Sequence, residues 1–309
     1  VLNACDVGHR VVVRRRLPGW PRFTDLLGVL VSLDGQGLVI RTEDGVEHAM
    51  ALDEVEAGKA VPPRPAKFSE IAALELVGNR AWPAPDQERL GGWLLRAAEG
   101  WTNRANSALP VGESGGSLED AVEHVRRWYR DRGLPPKITV PLPLRRDVAD
   151  HLTGAGWTAQ PRVLVQTADL AALSEGADRV ELLPEPSADF LDVIAARKAS
   201  LPAVARRVLL DVPPVRFAEI RDSDRRLLAI TRGAAQDTWL HLSLVEVVPA
   251  ARRRGLARAA AAALARWAAD EGATKAFLQV EEQNEAAVQL YARQGFRTHH
   301  TYVTYRLDG

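Results

Sequence analysis

Slid along itself by 139 residues, the chain falls into register with its own later part: Gly116 lies on Gly255, Gly133 on Gly272, Gly156 on Gly295 and Trp157 on Phe296, with no gap. A repeat of this kind fixes the unit of folding before any single element is read. Between the glycines the patterns agree. A helix expected over 117–132 answers one over 256–271, and a strand over 137–140 answers one over 276–279. A short helix over 144–152 answers one over 285–293, and strands near 162–166 and 301–305 close the two copies. Either copy is a usual domain size. The boundary is expected in the stretch Leu173-Ser174-Glu175-Gly176-Ala177.

The first sixty residues follow a different rhythm. Short apolar alternations run from Arg10 to Arg16, Leu26 to Leu33, Gly37 to Thr42 and Val46 to Ala51, separated by turn signals at Asp34-Gly35-Gln36-Gly37 and Glu43-Asp44-Gly45. They predict a small all-β barrel, which resembles SH3-like or Tudor-like barrels in strand count and size. Val61-Pro62-Pro63-Arg64-Pro65 then reads as a semi-rigid linker. The expected organisation is a barrel over 1–60, a first α/β copy over 67–172 and a second over 178–309.

Charge narrows the function classes little. Basic and acidic residues balance at 40 each, so no global field draws in nucleic acid or a membrane surface. Arg14-Arg15-Arg16 is a local basic run, read either as a contact for nucleic acid or as a solvated strand edge. Cys5 is the sole cysteine, which excludes an internal disulfide and a cysteine-based zinc site and points to a reducing compartment. No export signal is visible and no run reaches the ~18 apolar residues of a membrane span, so a cytoplasmic protein is expected. The seven histidines lack ligand spacing, and no metal is expected.

The chemistry concentrates in the second copy. A strand from Trp239 to Val247 runs into Val248-Pro249, and Arg252-Arg253-Arg254-Gly255-Leu256-Ala257-Arg258 then opens an alanine-rich helix. A helix start offers unpaired N–H groups and a partial positive charge, glycine lets a backbone approach an anion, and arginine adds a fork of donors for phosphate oxygens. Further on stand Asn284-Glu285-Ala286-Ala287-Val288-Gln289-Leu290-Tyr291 and Gly295-Phe296.

Together these stretches resemble the GNAT superfamily of acetyl-CoA-dependent N-acetyltransferases, in its strand, acyl-CoA loop and second signature. The resemblance implies a mixed sheet splayed open between the strand ending at Val247 and the one over 276–281, with the pantetheine arm of acetyl-CoA in the gap. Backbone groups of Val247 and Val248 would pair with the arm, the Val247 N–H would polarise the thioester carbonyl, and the pyrophosphate would lie over Arg253 to Arg258. It makes Tyr291 the proton donor to the leaving thiolate and Asn284 a residue that holds the loop or the arm. At the place on this strand where the family often carries an acidic residue stands His241, a base with a pKa of roughly 6.5 or a strand histidine with no chemical duty. Glu246 is the rival base, with Glu281 and Glu282 behind it. The acceptor is an amine, of a protein lysine or of a small molecule, and the acceptor contacts would come from variable loops such as 199–211.

The first copy lacks these groups. At the same offset Glu113 stands for Arg252, Arg145 for Asn284 and Leu152 for Tyr291. A carboxylate repels a pyrophosphate and leucine has no proton to give. This copy is expected to survive as a packing partner and substrate wall. Trp93, Arg96, Trp101, Arg104, Asn106 and Ser107 would either line an acceptor pocket or form an ordinary strand core with surface arginines. The whole arrangement resembles bacterial GNAT proteins described as histone-acetyltransferase-like. The alternative class is a non-enzymatic acetyl-CoA-binding scaffold recruited through the barrel.

Overall fold

The computed structural model describes residues 2–62, 64–173, 180–198, 201–212 and 214–307. They form two compact units, Val1–Pro65 and Ala66–Gly309.

The first unit is a five-stranded antiparallel sheet, β1 (Arg10–Arg16), β2 (Phe23–Leu33), β3 (Gly37–Arg41), β4 (Glu47–Ala51) and β5 (Val55–Ala60), in the order β4-β3-β2-β1-β5. Strict alternation puts Val11, Val13, Leu30, Leu38, Ile40 and Met50 on one face, where they make the core. The expected hairpins are present. The Asp34 carboxylate accepts the N–H groups of Gln36 and Gly37 at 2.8 and 3.0 Å, pinning the β2–β3 turn. The run Arg14-Arg15-Arg16 is not on an edge, because β1 pairs with both β2 and β5. Its guanidiniums are matched by Asp25 (2.8 Å), Glu54 (3.1 Å) and Glu56, so the run is neutralised where it stands.

The second unit opens with α1 (Phe68–Ala81) and a small sheet of β6 (Asp86–Leu90), β7 (Trp93–Ala97) and β8 (Leu109–Pro110). Then follow α2 (Leu118–Arg130), β9 (Lys137–Leu142), α3 (Arg146–Gly154), β10 (Thr158–Ala159) and β11 (Val163–Asp169). The later half comprises β12 (Glu181–Leu183), α4 (Ala188–Lys198), α5 (Val204–Leu210), β13 (Val215–Arg221), β14 (Leu227–Gln236), β15 (Trp239–Val247), α6 (Leu256–Asp270), β16 (Lys275–Glu281), α7 (Glu285–Arg293) and β17 (Arg297–Arg306). The expected boundary falls, apart from Leu173, outside the described residues.

The two halves share one nine-stranded sheet, ordered β10-β17-β11-β16-β15-β14-β13-β12 with β9 also paired to β17. Strand β11 of the earlier half lies between β16 and β17 of the later one, antiparallel to both. Strand β17 in turn takes β9 and β10 as partners. The segment 199–211, expected as a loop, holds α5. Val204, Ala205, Val208 and Leu209 recur at helical spacing and are buried, so the apolar stripe folds it onto the sheet. Among the described residues no helix is long and apolar enough to cross a membrane.

Candidate active site

Strands β15 and β16 pair in parallel only at Trp239, Leu240 and His241 with Lys275, Ala276 and Phe277. Beyond that point they part. The cause sits on the other side of β15. Ser243 faces Arg232 and Glu246 faces Ile230, so Leu244 and Val245 share the single partner Thr231, and Leu244 adopts a φ of 54°. This bulge bends β15 away from β16. A cleft of about 650 Å³ opens in the seam, walled by Leu242 to Glu246 on one strand and Leu278 to Glu281 on the other.

Of the two backbone positions expected to bind a ligand arm, only one remains open. The Val248 N–H donates to the Leu228 carbonyl at 2.9 Å, and the Val248 carbonyl accepts from Ala251 at 2.9 Å. Val248 is therefore taken up by the fold. Alternation along an antiparallel strand turns the Val247 N–H to the opposite edge, the edge of the seam.

From Pro249 the chain makes a single 3₁₀ turn, runs extended through Arg252, takes positive φ at Arg253 (59°) and Gly255 (77°), and enters α6 at Leu256. No side chain caps α6 and its first turn carries no acid, so the dipole and the first N–H groups face outward. Arg252, Arg253, Arg254 and Gly255 are exposed, as is Arg258, while Leu256 and Ala257 are half-buried. The earlier half shows the opposite arrangement. The Ser117 hydroxyl accepts the Asp120 N–H at 3.1 Å, and Glu119 and Asp120 fill the first turn of α2, which closes that helix start to an anion. Arg145 is locked on Asp147 at 2.7 Å, and Leu152 is fully buried.

Helix α7 forms the far side of the cleft. The Asn284 side chain accepts the Ala287 N–H at 3.2 Å and so caps α7. Tyr291, one turn further on from Ala287, also lines the cleft, its ring tilted 65° to Phe296 at 5.8 Å. Burial pushes its phenol up to about 12, with Arg197 pulling the other way. Glu246, half-buried on the cleft wall, pairs with Arg197.

His241 does not fit the base expected of it. The residue is fully buried, stacked on Phe277 at 4.7 Å, and does not line the cleft. Arg104 Nη1 stands 2.9 Å from its Nε2. A guanidinium can only donate, so Nε2 must accept and the ring is held neutral. Burial, then Arg104 and Arg232, hold its pKa well below the ordinary imidazole value. A lone pair engaged in this way is not available to a substrate ammonium.

The wall facing these elements comes from the earlier half: Trp82, Thr102, Arg104, Thr139 and Gln160 line the same cleft. Of the residues expected there, Arg104 reaches it. Arg96 is buried instead, bonded through Nε to the Ser107 carbonyl (2.9 Å) and through Nη2 to the Ser107 hydroxyl (3.1 Å), and Trp93 is core. Trp101 stacks on Trp82 at 5.7 Å, and Asn106 holds the loop between β7 and β8. Trp82, Thr139 and Thr304 carry no motif. Periodicity marks them only as apolar helix-end or strand positions.

A bulged strand parting from its parallel neighbour, an uncapped arginine-flanked helix start and a tyrosine-bearing helix across the gap define the GNAT class of N-acetyltransferases. Comparison with known proteins agrees. The family model described as "Probable histone acetyltransferase Rv0428c C-terminal" matches residues 68–305, and the chain belongs to this family. Residues 5–59 match the family model described as "Rv0428c N-terminal Sm-like domain". The chain is 30% identical over 306 residues to "Probable histone acetyltransferase Rv0428c" of Mycobacterium tuberculosis, covering 95% of this chain and 93% of that protein. It is 27% identical over 243 residues to the "Uncharacterized N-acetyltransferase YobR" of Bacillus subtilis, covering 74% and 95%. A GCN5-related N-acetyltransferase from Kribbella flavida shares the fold, with a TM-score of 0.60 at 18% identity over 77% of this chain and 96% of that one. A tandem GNAT protein from the clavulanic acid biosynthesis pathway does so with a TM-score of 0.52 at 16% identity over 80% and 90%. The protein is an enzyme, an N-acetyltransferase of the GNAT type.

Proposed function

We propose that the chain moves the acetyl group of acetyl-CoA to a primary amine by direct attack within a ternary complex. The observation that carries this reading is the seam between β15 and β16, which ends at the uncapped start of α6 while its counterpart in the earlier half is closed. The free edge of β15 takes an amide-bearing arm as an added strand. The Val247 N–H donates to the thioester carbonyl, where charge develops during attack. The first N–H groups of α6 and the guanidiniums of Arg252, Arg253, Arg254 and Arg258 hold the pyrophosphate.

In the transfer the amine nitrogen bonds to the carbonyl carbon, the carbon–sulfur bond breaks, and the proton lost by the amine balances the one gained by sulfur. Tyr291 donates to the leaving sulfur. Glu246, on the cleft wall, receives the amine's proton; His241 serves instead to orient Arg104. Asn284 fixes the turn that presents Tyr291. The two halves are a duplicated pair in which the later keeps the chemistry and the earlier supplies the acceptor wall. That gives the chain three parts: barrel, non-catalytic copy and catalytic copy. The acceptor is a free amine of a small molecule or of a protein lysine. A pure acetyl-CoA scaffold has no use for a phenol in the cleft.

A calorimetric titration with acetyl-CoA tests this without knowledge of the acceptor. One site per chain is expected. Gly255→Glu puts a carboxylate where the phosphates bind, and its Kd rises by about a hundredfold or more. Absence of binding to the wild type, or unchanged binding in the variant, would refute the reading.

A further inference from the structure

We infer that the part of the cleft lined by Arg104 is a carboxylate-binding subsite, and that the amine acceptor carries a carboxylate gripped by Arg104. The inference rests on the transferase reading above and names the class of its acceptor.

Arg104 is presented with care. It sits on the loop between β7 and β8, where Glu99 (48°), Gly100 (79°) and Thr102 (64°) all take positive φ. For a β-branched residue such as Thr102 this conformation is costly. Thr102 and Asn103 tie the loop outward to Trp82, Gln160 and Lys137, and Asn106 ties it from within. Asn106 accepts the N–H groups of Ala98 and Gly100, both at 2.8 Å, and donates to the carbonyls of Trp101 (2.7 Å) and Thr102 (2.8 Å). The guanidinium is then laid over Trp82, its carbon 5.2 Å from the ring centroid, and the Trp82 ring is backed by Trp101. His241 takes up Nη1 without taking its charge. Arg104 remains partly exposed on the cleft wall.

Tyr302 and, from further off, Glu75 favour the charge of Arg104, but no carboxylate pairs with it directly. Among the described residues no carboxylate stands within ion-pair distance of Arg104, Arg96 or Arg232. The buried Glu75 is bound to His300 at 2.7 Å instead. Arg232, fully buried, lies against the same Trp82 ring at 5.2 Å and has an Nη2 with no hydrogen-bond partner. An excess of buried positive charge is costly unless something negative completes it. A carboxylate matches a guanidinium fork in shape as well as charge. The hydroxyls of Thr139 and Thr304 also line the cleft; they bond each other at 2.9 Å and Thr139 bonds Ser107 at 2.8 Å, so with Ser107 donating along this chain Thr304 keeps one proton for a carboxylate oxygen. A lysine-rich tail would instead bring further cations toward Arg104.

The test compares amines that differ only in the charge of one group. Glycine, β-alanine, 4-aminobutyrate and glycylglycine are each run against their primary amides, with a lysine-containing basic peptide as a third acceptor, and thiol release is followed on the full chain. For at least one length the acid is expected to show a KM roughly ten- to a hundredfold below its amide. In Arg104→Gln this acid-to-amide ratio collapses toward one, and in Arg104→Lys, which keeps the charge but not the fork, it falls part-way. Equal KM for acids and amides in the wild type overturns the inference without any variant. So does turnover of the basic peptide with none of the acids; the transferase reading then stands alone. Failure of the chain to bind acetyl-CoA removes both.

Discussion

Replacement of Tyr291 by phenylalanine isolates one proton. The ring stays, so its contact with Phe296 and its packing beside the core of α6 and β16 are kept. Only the hydroxyl goes. With the phenol at about 12 and a free thiol at about 8.5, full transfer to a departed thiolate is uphill by about 3.5 units, or ~5 kcal/mol. On the proposed mechanism Tyr291 therefore acts while negative charge gathers on sulfur, as a hydrogen-bond donor whose proton moves as the amine gives up its own. A hydrogen bond to a charged acceptor is worth about 1.5–3 kcal/mol, so kcat should fall about 10- to 150-fold in Tyr291→Phe.

Steady-state thiol release at saturating acetyl-CoA measures that fall, and calorimetry should find the acetyl-CoA Kd within about twofold of wild type, as expected of an interaction made only in the transition state. A raised phenol stays protonated through the working range, so between pH 7 and 10 the wild-type profile should show no falling limb from this group. An acetyl thioester of a more acidic thiol needs less help and should lose less in the variant. Unchanged kcat would refute the argument. A fall in kcat matched by lost affinity and a lowered melting temperature would show a packing role in place of a proton donor.

Three further outcomes are expected. His241→Gln should leave the rising limb of kcat/KM against pH where it stands, because the neutral, buried imidazole is not the group that titrates there; a displaced limb would restore it as the base. Burial, with His300 beside it, brings His299 down to about 4. The unfolded imidazole takes a proton below about 6.5 and the folded one only below about 4. Stability is therefore unaffected above pH 6.5 and falls across that window, by up to roughly 3 kcal/mol; denaturant titrations should show a shallower fall in His299→Gln. Asn106→Ala removes five loop bonds and should lower unfolding stability by roughly 2–4 kcal/mol while raising acceptor KM more than acetyl-CoA Kd; an unaltered acceptor KM would mean the loop does not present Arg104.

What could be read from the chain was what local chemistry dictates. Gly255 stands out because a left-handed turn before a helix favours glycine, and Asn284 because its side chain caps the helix three residues on. The hairpins of the first unit were legible for the same reason. Trp82 and Arg104 were not legible as neighbours of the seam, since their place there depends on β11 entering between β16 and β17, a pairing across more than a hundred residues that leaves no mark on the alternation of either strand. His241 misled for a related reason: its position along β15 suits a base, but the Arg104, Phe277 and Trp82 that surround it come from elsewhere in the chain. The stripe of α5 was present in the sequence and a helix could have been read from it.

The exchange of strands also gives the earlier half a structural place in the molecule. Strand β11 meets β16 along seven residue pairs from Val163 and Glu281 to Asp169 and Lys275, and meets β17 on its other edge. Without it, both strands would present unpaired backbone groups in the middle of a sheet, each costly when buried. The start of α2, closed by the Ser117 cap and by Glu119 and Asp120 in its first turn, takes no part in this pairing. Loss of β11 would open the wall of the cleft that faces Tyr291. The later half thus depends on the earlier one along β9, β10 and β11 for the shape of the site.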